Sequence, residues 1–170
     1  MNKLLEFSKV EAGYGPLKVL HGVSLDIHAG ERVCLLGRNG VGKSTTLKTI
    51  MGLTDRRSGT LSWSGADITR SSTVARSRLG IGYVPQTRDV FPSLSVEENL
   101  IAGLRNRPVR EIDRAYQLFP RLHERRNNGG TELSGGEQQM LSVARTLLGR
   151  PPGRPGTHYL RRVDAGFRYA

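Results

Sequence analysis

Three observations predict an α/β fold. A short apolar run, Arg32-Val33-Cys34-Leu35-Leu36, leads into the glycine-rich stretch Gly37-Arg38-Asn39-Gly40-Val41-Gly42, and residues 43–51 beyond it can form a helix stopped by Gly52. Segments 4–10, 23–27 and 58–63 alternate apolar and polar residues and read as strands of an antiparallel layer beside that unit. From Ser95 onward the pattern becomes mostly helical.

The glycine-rich stretch carries chemistry. Gly37 to Ser44 fits the phosphate-binding loop G-x-x-x-x-G-K-[ST], placed between a predicted strand and a predicted helix as that motif demands. Gly37, Gly40 and Gly42 let the backbone wrap closely around a polyphosphate and turn successive N–H groups inward. The helix start adds the positive end of its dipole at the same place. Lys43 supplies a mobile cation for the β- and γ-phosphates, and the Ser44 hydroxyl is placed to ligate Mg²⁺. A plain glycine-rich turn is the alternative, and the Lys-Ser pair argues against it. The site is expected to bind a nucleoside triphosphate.

Composition narrows the remaining classes. With 170 residues, 36% hydrophobic and 24% charged, the chain reads as a globular domain large enough for one core. No apolar run approaches the ~20 residues a membrane-spanning helix needs. Met1-Asn2-Lys3-Leu4-Leu5-Glu6 lacks signal-peptide architecture, and the single cysteine, Cys34, excludes an internal disulfide, so the cytosol is the expected compartment. The net charge is +11; residues 149–170 hold five arginines and one acid, hence +4, which leaves +7 spread over the rest. No basic face interleaved with aromatics accompanies it, and no nucleic-acid partner is expected.

Taken in order, residues 4–10 read as the first strand, and Ala12-Gly13-Tyr14-Gly15-Pro16 reads as a turn exposing an aromatic. Two readings of Tyr14 stand: an ordinary turn aromatic, or a platform on which a base stacks. His28-Ala29-Gly30-Glu31 turns the chain back into the apolar run at 32–36. Residues 72–79 have modest helical pattern, and 81–84 form a strand that Pro85 ends, which leaves Gln86 on a loop at a strand's carboxyl end. Ser95-Val96-Glu97-Glu98 is a capping box opening a helix through Leu104. Ile112, Ala115, Tyr116 and Phe119 give 109–119 a packed helical face, closed by Pro120, and Asn127-Asn128-Gly129-Gly130 forms a connection.

Leu133-Ser134-Gly135-Gly136-Glu137-Gln138-Gln139 is the second informative stretch. Ser134 and Glu137 make another capping box, which places two glycines in a helix's first turn. Glycine is costly there unless a ligand must come close to the backbone. Met140, Leu141, Ala144, Leu147 and Leu148 then predict a buried helix face, whose amino end offers N–H groups and a hydroxyl to an anion. An ordinary helix cap is the other reading; the phosphate loop in the same chain favours the anion site.

These motifs together resemble the ATP-binding cassettes of ABC transporters. Leu133 to Gln139 is similar to the LSGGQ-type signature, with Glu137 where many members place Gln. The order Tyr14, phosphate loop, Gln86, signature resembles the family's A-loop, Walker A, Q-loop and signature. Val84-Pro85-Gln86, Val90-Phe91-Pro92, Leu94-Ser95-Val96-Glu97-Glu98-Asn99-Leu100 and Leu118-Phe119-Pro120-Arg121-Leu122 look like the cassette subunits of branched-chain amino acid importers, with urea importers as the rival. The resemblance implies a P-loop NTPase core with an antiparallel β edge layer and an inserted helical subdomain at about 87–136, incomplete at the C-terminus. It implies that Tyr14 stacks adenine, and that Gly37, Asn39, Gly40, Gly42, Lys43, Ser44 and Thr45 hold the phosphates of ATP. Ser44 and Gln86 would hold Mg²⁺, and Gln86 would sense the attacking water. Ser134, Gly135, Gly136 and Glu137 would face the ATP of a partner cassette. The implied partners are a second cassette and transmembrane permease subunits, and the implied place is the cytoplasmic face of the inner membrane, peripherally bound.

The resemblance covers residues 1–150. Beyond the signature helix the family continues into an apolar strand ending in Asp-Glu, then a D-loop and a switch histidine. This chain reads Arg150-Pro151-Pro152-Gly153-Arg154-Pro155-Gly156-Thr157-His158-Tyr159-Leu160-Arg161-Arg162, with Asp164 as its one later acid. Prolines and arginines do not make a central strand. A shifted reading frame, a replaced end and a specialised tail all fit that composition. Residues 151–170 are expected to lack regular structure, and hydrolysis by this chain is expected to be impaired.

Overall fold

Strand β1 (Lys3–Tyr14) is the axis of a four-stranded sheet in the order β2-β1-β3-β4, with β2 (Leu17–His28), β3 (Asp55–Trp63) and β4 (Ala66–Asp67) all antiparallel to their neighbours. The computed structural model describes residues 3–87, 89–104 and 106–149, together with the backbone of 158–161. The chain divides into two units, Met1–Ile81 with Arg154–Ala170, and Gly82–Gly153.

In the first unit β1 buries Leu5 and Phe7, then Val10 and Ala12. Between these pairs the alternation changes phase at a bulge, where Lys9 has φ 46° and the register slips between Phe7 and Val10. The extra residue lets one long strand keep a single face inward. Helix α1 (Lys43–Met51) packs on that sheet and adds Leu47, Ile50 and Met51 to a core shared with Leu20, Leu61, Trp63 and Ile68. Each large side chain so buried contributes about 1.5–3 kcal/mol. The antiparallel layer is thus as the alternation predicts, although β1 and β2 run further. Ala12, Gly13 and Tyr14 belong to β1, because Leu17, Lys18 and Leu20 of β2 pair with them, and the turn shrinks to Gly15-Pro16.

Helix α1 begins and ends at the residues its pattern predicts, with Gly52 in the left-handed region donating to the Lys48 and Thr49 carbonyls. Helix α2 (Thr73–Arg78) follows, capped by the Ser72 hydroxyl on the Ala75 N–H. From α2 the buried guanidinium of Arg76 reaches the end of α1. It donates to the carbonyls of Thr49 and Ile50, each at 2.8 Å, and to those of Ser71 at 2.9 Å and Thr69 at 3.2 Å.

One predicted element is corrected. The apolar run at 32–36 is not a strand; residues 31–38 have no regular structure, with Val33 51% and Leu36 87% exposed. A parallel strand of this kind is stable when other strands flank it and helices cover its faces. Among the described residues no strand pairs with it.

Strand β5 (Ile81–Val84) forms as predicted where the units divide, and the described remainder of the second unit is helices and connections: α3 (Val96–Gly103), α4 (Asp113–Leu118), α5 (Pro120–Glu124) and α6 (Gly135–Leu148). Val96 and Leu100 of α3, Leu122 of α5, and Leu141, Ala144 and Leu148 of α6 meet in its core. The continuous helix read at 109–119 is broken into a 3₁₀ turn at Val109–Ile112 and α4. Pro120 does not simply close it, since the proline starts α5 at the first helical position. Phe119 before it is pushed to φ −134° and ψ 74°, outside the helical region that a residue preceding proline avoids. Of the residues expected to lack regular structure, His158–Arg161 form strand β6; the rest of 151–170 lies outside the described residues.

Candidate nucleotide site

The phosphate loop takes the wrapped backbone that its glycines allow. Gly37, Gly40 and Gly42 have φ of 146°, 87° and 97°. Gly42 is the N-cap of α1 and offers no side chain to the helix start, so none competes there for the first N–H groups. It is also the tightest position, because a Cβ there would lie 2.8 Å from Leu20 Cδ2. Lys43 turns back over the loop and donates to the carbonyls of Gly37 at 2.7 Å and Arg38 at 2.8 Å. Its ammonium is therefore held against the loop's own backbone. Thr46 and Thr49 seal α1 from within, their hydroxyls donating to the carbonyls of Gly42 and Thr45. The first turn of α1 contains no acidic residue to oppose an anion.

Tyr14 stands at the end of β1, 39% exposed, with Lys48 Nζ 5.6 Å from its ring centroid. The first unit thus contains Tyr14, the loop residues Gly37, Asn39, Gly40, Gly42, Lys43, Ser44 and Thr45, and Lys48. Sequence pattern pointed to all of these except Lys48. No motif marks a lysine in the last turn of that helix, and only the fold of β1 against α1 brings it to the ring.

Gln86 and the signature lie in the second unit. Gln86 sits exposed in a turn just after β5, where the pattern places it. The signature opens α6 with a complete capping box. The Ser134 hydroxyl accepts from the Glu137 N–H at 3.3 Å, and Glu137 Oε2 accepts from the Ser134 N–H at 2.8 Å. Gly135 and Gly136 fill the first turn, with open space where a Gly136 side chain would stand. This helix end can receive an anion on its backbone N–H groups. Of the predicted stripe, Leu141, Ala144 and Leu148 are fully buried; Met140 and Leu147 are only partly so, and Ser142 takes a buried place beside Leu141.

Glu137 has a second role that its capping position does not announce. Its Oε1 accepts from Arg121 Nε at 3.1 Å, and Arg125 Nε lies 3.8 Å away, which ties α5 to α6. The hydrogen bonds to Ser134, joined by Arg121, hold the Glu137 carboxyl below its usual range. A lowered folded pKa means that the stabilisation is present above the unfolded value of about 4.3 and is lost as pH falls through the folded value. Glu137→Gln keeps an acceptor for the cap and removes the charge. It should lower stability slightly at pH 7, by under about 1 kcal/mol, and the gap to the parent chain should narrow as pH falls below the unfolded value of about 4.3. A gap that stays constant over that range would show that the charge contributes nothing.

Asn99 organises the segment between Gln86 and α3. Fully buried, it accepts from the Phe91 N–H at 2.9 Å and donates to the carbonyls of Phe91 and Leu94 at 3.1 Å and Ser95 at 2.9 Å. Arg145 from α6 joins it, with its guanidinium 4.4 Å from the Phe91 ring centroid and hydrogen-bonded to the Asp89 backbone carbonyl and carboxylate. Neither residue was singled out by the sequence reading.

Residues 20–152 match the family model described as "ABC transporter". The chain is 40% identical, over 87% of its length, to the high-affinity branched-chain amino acid transport ATP-binding protein BraG of Pseudomonas aeruginosa, of which it covers 65%. It is 39% identical, over 81% of its length, to the lipopolysaccharide export system ATP-binding protein LptB of Escherichia coli, of which it covers 60%. A solved structure described as an ATP-binding subunit of an ABC transporter superposes with a TM-score of 0.73 at 31% identity, over 88% of this chain and 63% of that one. The chain therefore spans less than two thirds of the length of these relatives. Among its described residues no helix is long and apolar enough to cross a membrane. With the wrapped loop at Gly37–Ser44, the capped signature at Ser134 and a family model matched over most of its length, the chain belongs to the ABC transporter family of ATP-binding cassettes.

Proposed function

We propose that this chain is the nucleotide-binding part of a cassette subunit that takes ATP with Mg²⁺ and pairs with a second cassette and with permease subunits at the membrane. The observation that carries the reading is the phosphate loop itself, with three glycines at positive φ, an unobstructed start to α1, and Lys43 held over the loop. These features fit a triphosphate. Mg²⁺, when bound, would neutralise phosphate oxygens, with the Ser44 hydroxyl as this unit's ligand.

The proposed cargo is branched-chain amino acids, taken up rather than expelled. The printed name of the 40% identical relative supports it, as do the stretches at 84–100 and 118–122. An export-system relative stands within one percentage point, at 39% against 40%, so overall identity alone does not choose the direction.

Titration with a fluorescent ATP analogue should show saturable binding that Lys43→Ala removes; equal binding by the two proteins would sink the assignment. Turnover is a separate matter. Gly149 to Ala170 contains no apolar run ending in Asp-Glu, the pair that holds the metal and orients water in this family. Phosphate release by the intact chain is accordingly expected to stay at the level of Lys43→Ala.

A further inference from the structure

The turn that presents Tyr14 is held from three sides. The Gly15 N–H donates to Asp55 Oδ2 at 2.8 Å, and Arg57 Nη2 donates to the Gly15 carbonyl at 2.6 Å. Both side chains come from β3, which lies beside β1. Behind the ring, a Cβ at Gly13 would lie 1.9 Å from the Leu17 carbonyl oxygen, so the hairpin end closes too tightly for any side chain there. On the ring itself rests the ammonium of Lys48, 5.6 Å from the centroid. Lys48 is half-buried, and none of the ion pairs among the described residues includes it.

A half-buried cation without a carboxylate needs another electron-rich partner, and the negative face of a tyrosine ring is one. A tyrosine has two faces. With one under Lys48, the other is left for a planar ligand, and the ring cannot turn without giving up the cation. Asp55 and Arg57 fix the backbone from which the ring projects. Together these residues pre-set the angle of the stacking surface.

We propose that Lys48, Asp55 and Arg57 are positioning residues for the nucleobase, fixing Tyr14 so that a base stacks on the ring face that Lys48 leaves open. The proposal rests on the nucleotide reading above. Lys48 lies on the same helix as Lys43, and a direct phosphate contact is the rival role for its ammonium. The two roles separate cleanly, because a positioning residue acts only on ligands that have a base.

Competition against a fluorescent ATP analogue, with ATP and with inorganic tripolyphosphate as the two competitors, tests the proposal on the intact chain. Lys48→Met should weaken ATP about two- to fivefold, the worth of an exposed cation–π contact, and leave tripolyphosphate unchanged. Arg57→Ala should show the same selectivity, and Lys48→Arg, which keeps a cation over the ring, should bind ATP like the parent. In a Tyr14→Ala background Lys48→Met should change nothing further. Equal losses for both competitors, unchanged ATP binding in Lys48→Met, or a loss that persists without Tyr14 would each overturn the proposal. Lys43→Ala is the control for the reading beneath it. If that variant still binds both competitors, the nucleotide assignment falls and the clamp with it, whereas lost base selectivity sinks the clamp alone.

Discussion

Arg76→Ala is expected to destabilise the first unit by about 3 kcal/mol or more. Its guanidinium is 4% exposed and gives hydrogen bonds to four carbonyls, two of them at the carboxyl end of α1. A helix leaves its last carbonyls without intrahelical partners; here Thr49 also accepts from the Gly52 N–H, and a cation there opposes the negative end of the helix dipole. Burial works against the charge, and Arg56 adds repulsion, so the carbonyls must outweigh both. Removing the side chain takes a donor from four carbonyls, of which Thr49 keeps the Gly52 N–H, at about 1–3 kcal/mol for each acceptor left unmet and not additively. Against total domain stabilities of about 5–15 kcal/mol that is a large share. Urea unfolding should show the midpoint falling by about 1 M or more at constant slope. Arg76→Lys should recover little, since one ammonium cannot reproduce a planar fork spread over four acceptors. A midpoint shift within error for Arg76→Ala would mean that solvent replaces those bonds freely.

Asn99→Ala should do comparable damage to the second unit, about 2–4 kcal/mol. Asn99 is fully buried and satisfies one N–H and three carbonyls of the segment 91–95 with both ends of a single amide. Alanine would leave the Phe91 N–H without its acceptor, take a second donor from three carbonyls that each keep a backbone N–H, and leave Arg145 with one acceptor fewer. The change should be local before it is global. Hydrogen exchange at Phe91 should accelerate by tenfold or more, with the α6 amides near Leu141 and Ala144 far less affected. Asn99→Asp should be worse still, because a carboxylate accepts but cannot donate to the three carbonyls. Unchanged protection of the Phe91 amide in Asn99→Ala would refute the organising role.

The sequence by itself determined the parts of this protein whose causes are local. The wrapped loop at Gly37–Ser44 follows from glycine spacing, and α1 ends where Gly52 ends it. Both capping boxes, at Ser95 and Ser134, form as a serine and a glutamate three residues apart dictate. The antiparallel layer was legible because alternation needs no knowledge of its partners. The tertiary structure decided whatever depends on residues distant in the chain. Alternation could not show that β1 continues to Tyr14, since that extension exists only where β2 pairs with it. The run at 32–36 has a strand's composition without a strand's neighbours, and its leucine at 36 stands 87% exposed. Arg76, Asn99 and Lys48 look like ordinary polar helix residues in sequence. Their partners lie across the fold, at Thr49 and Ile50, at Phe91, and at Tyr14. Apolar periodicity reports which face of an element is buried, but it is silent on which buried polar atom meets which carbonyl, because that pairing is set by tertiary geometry.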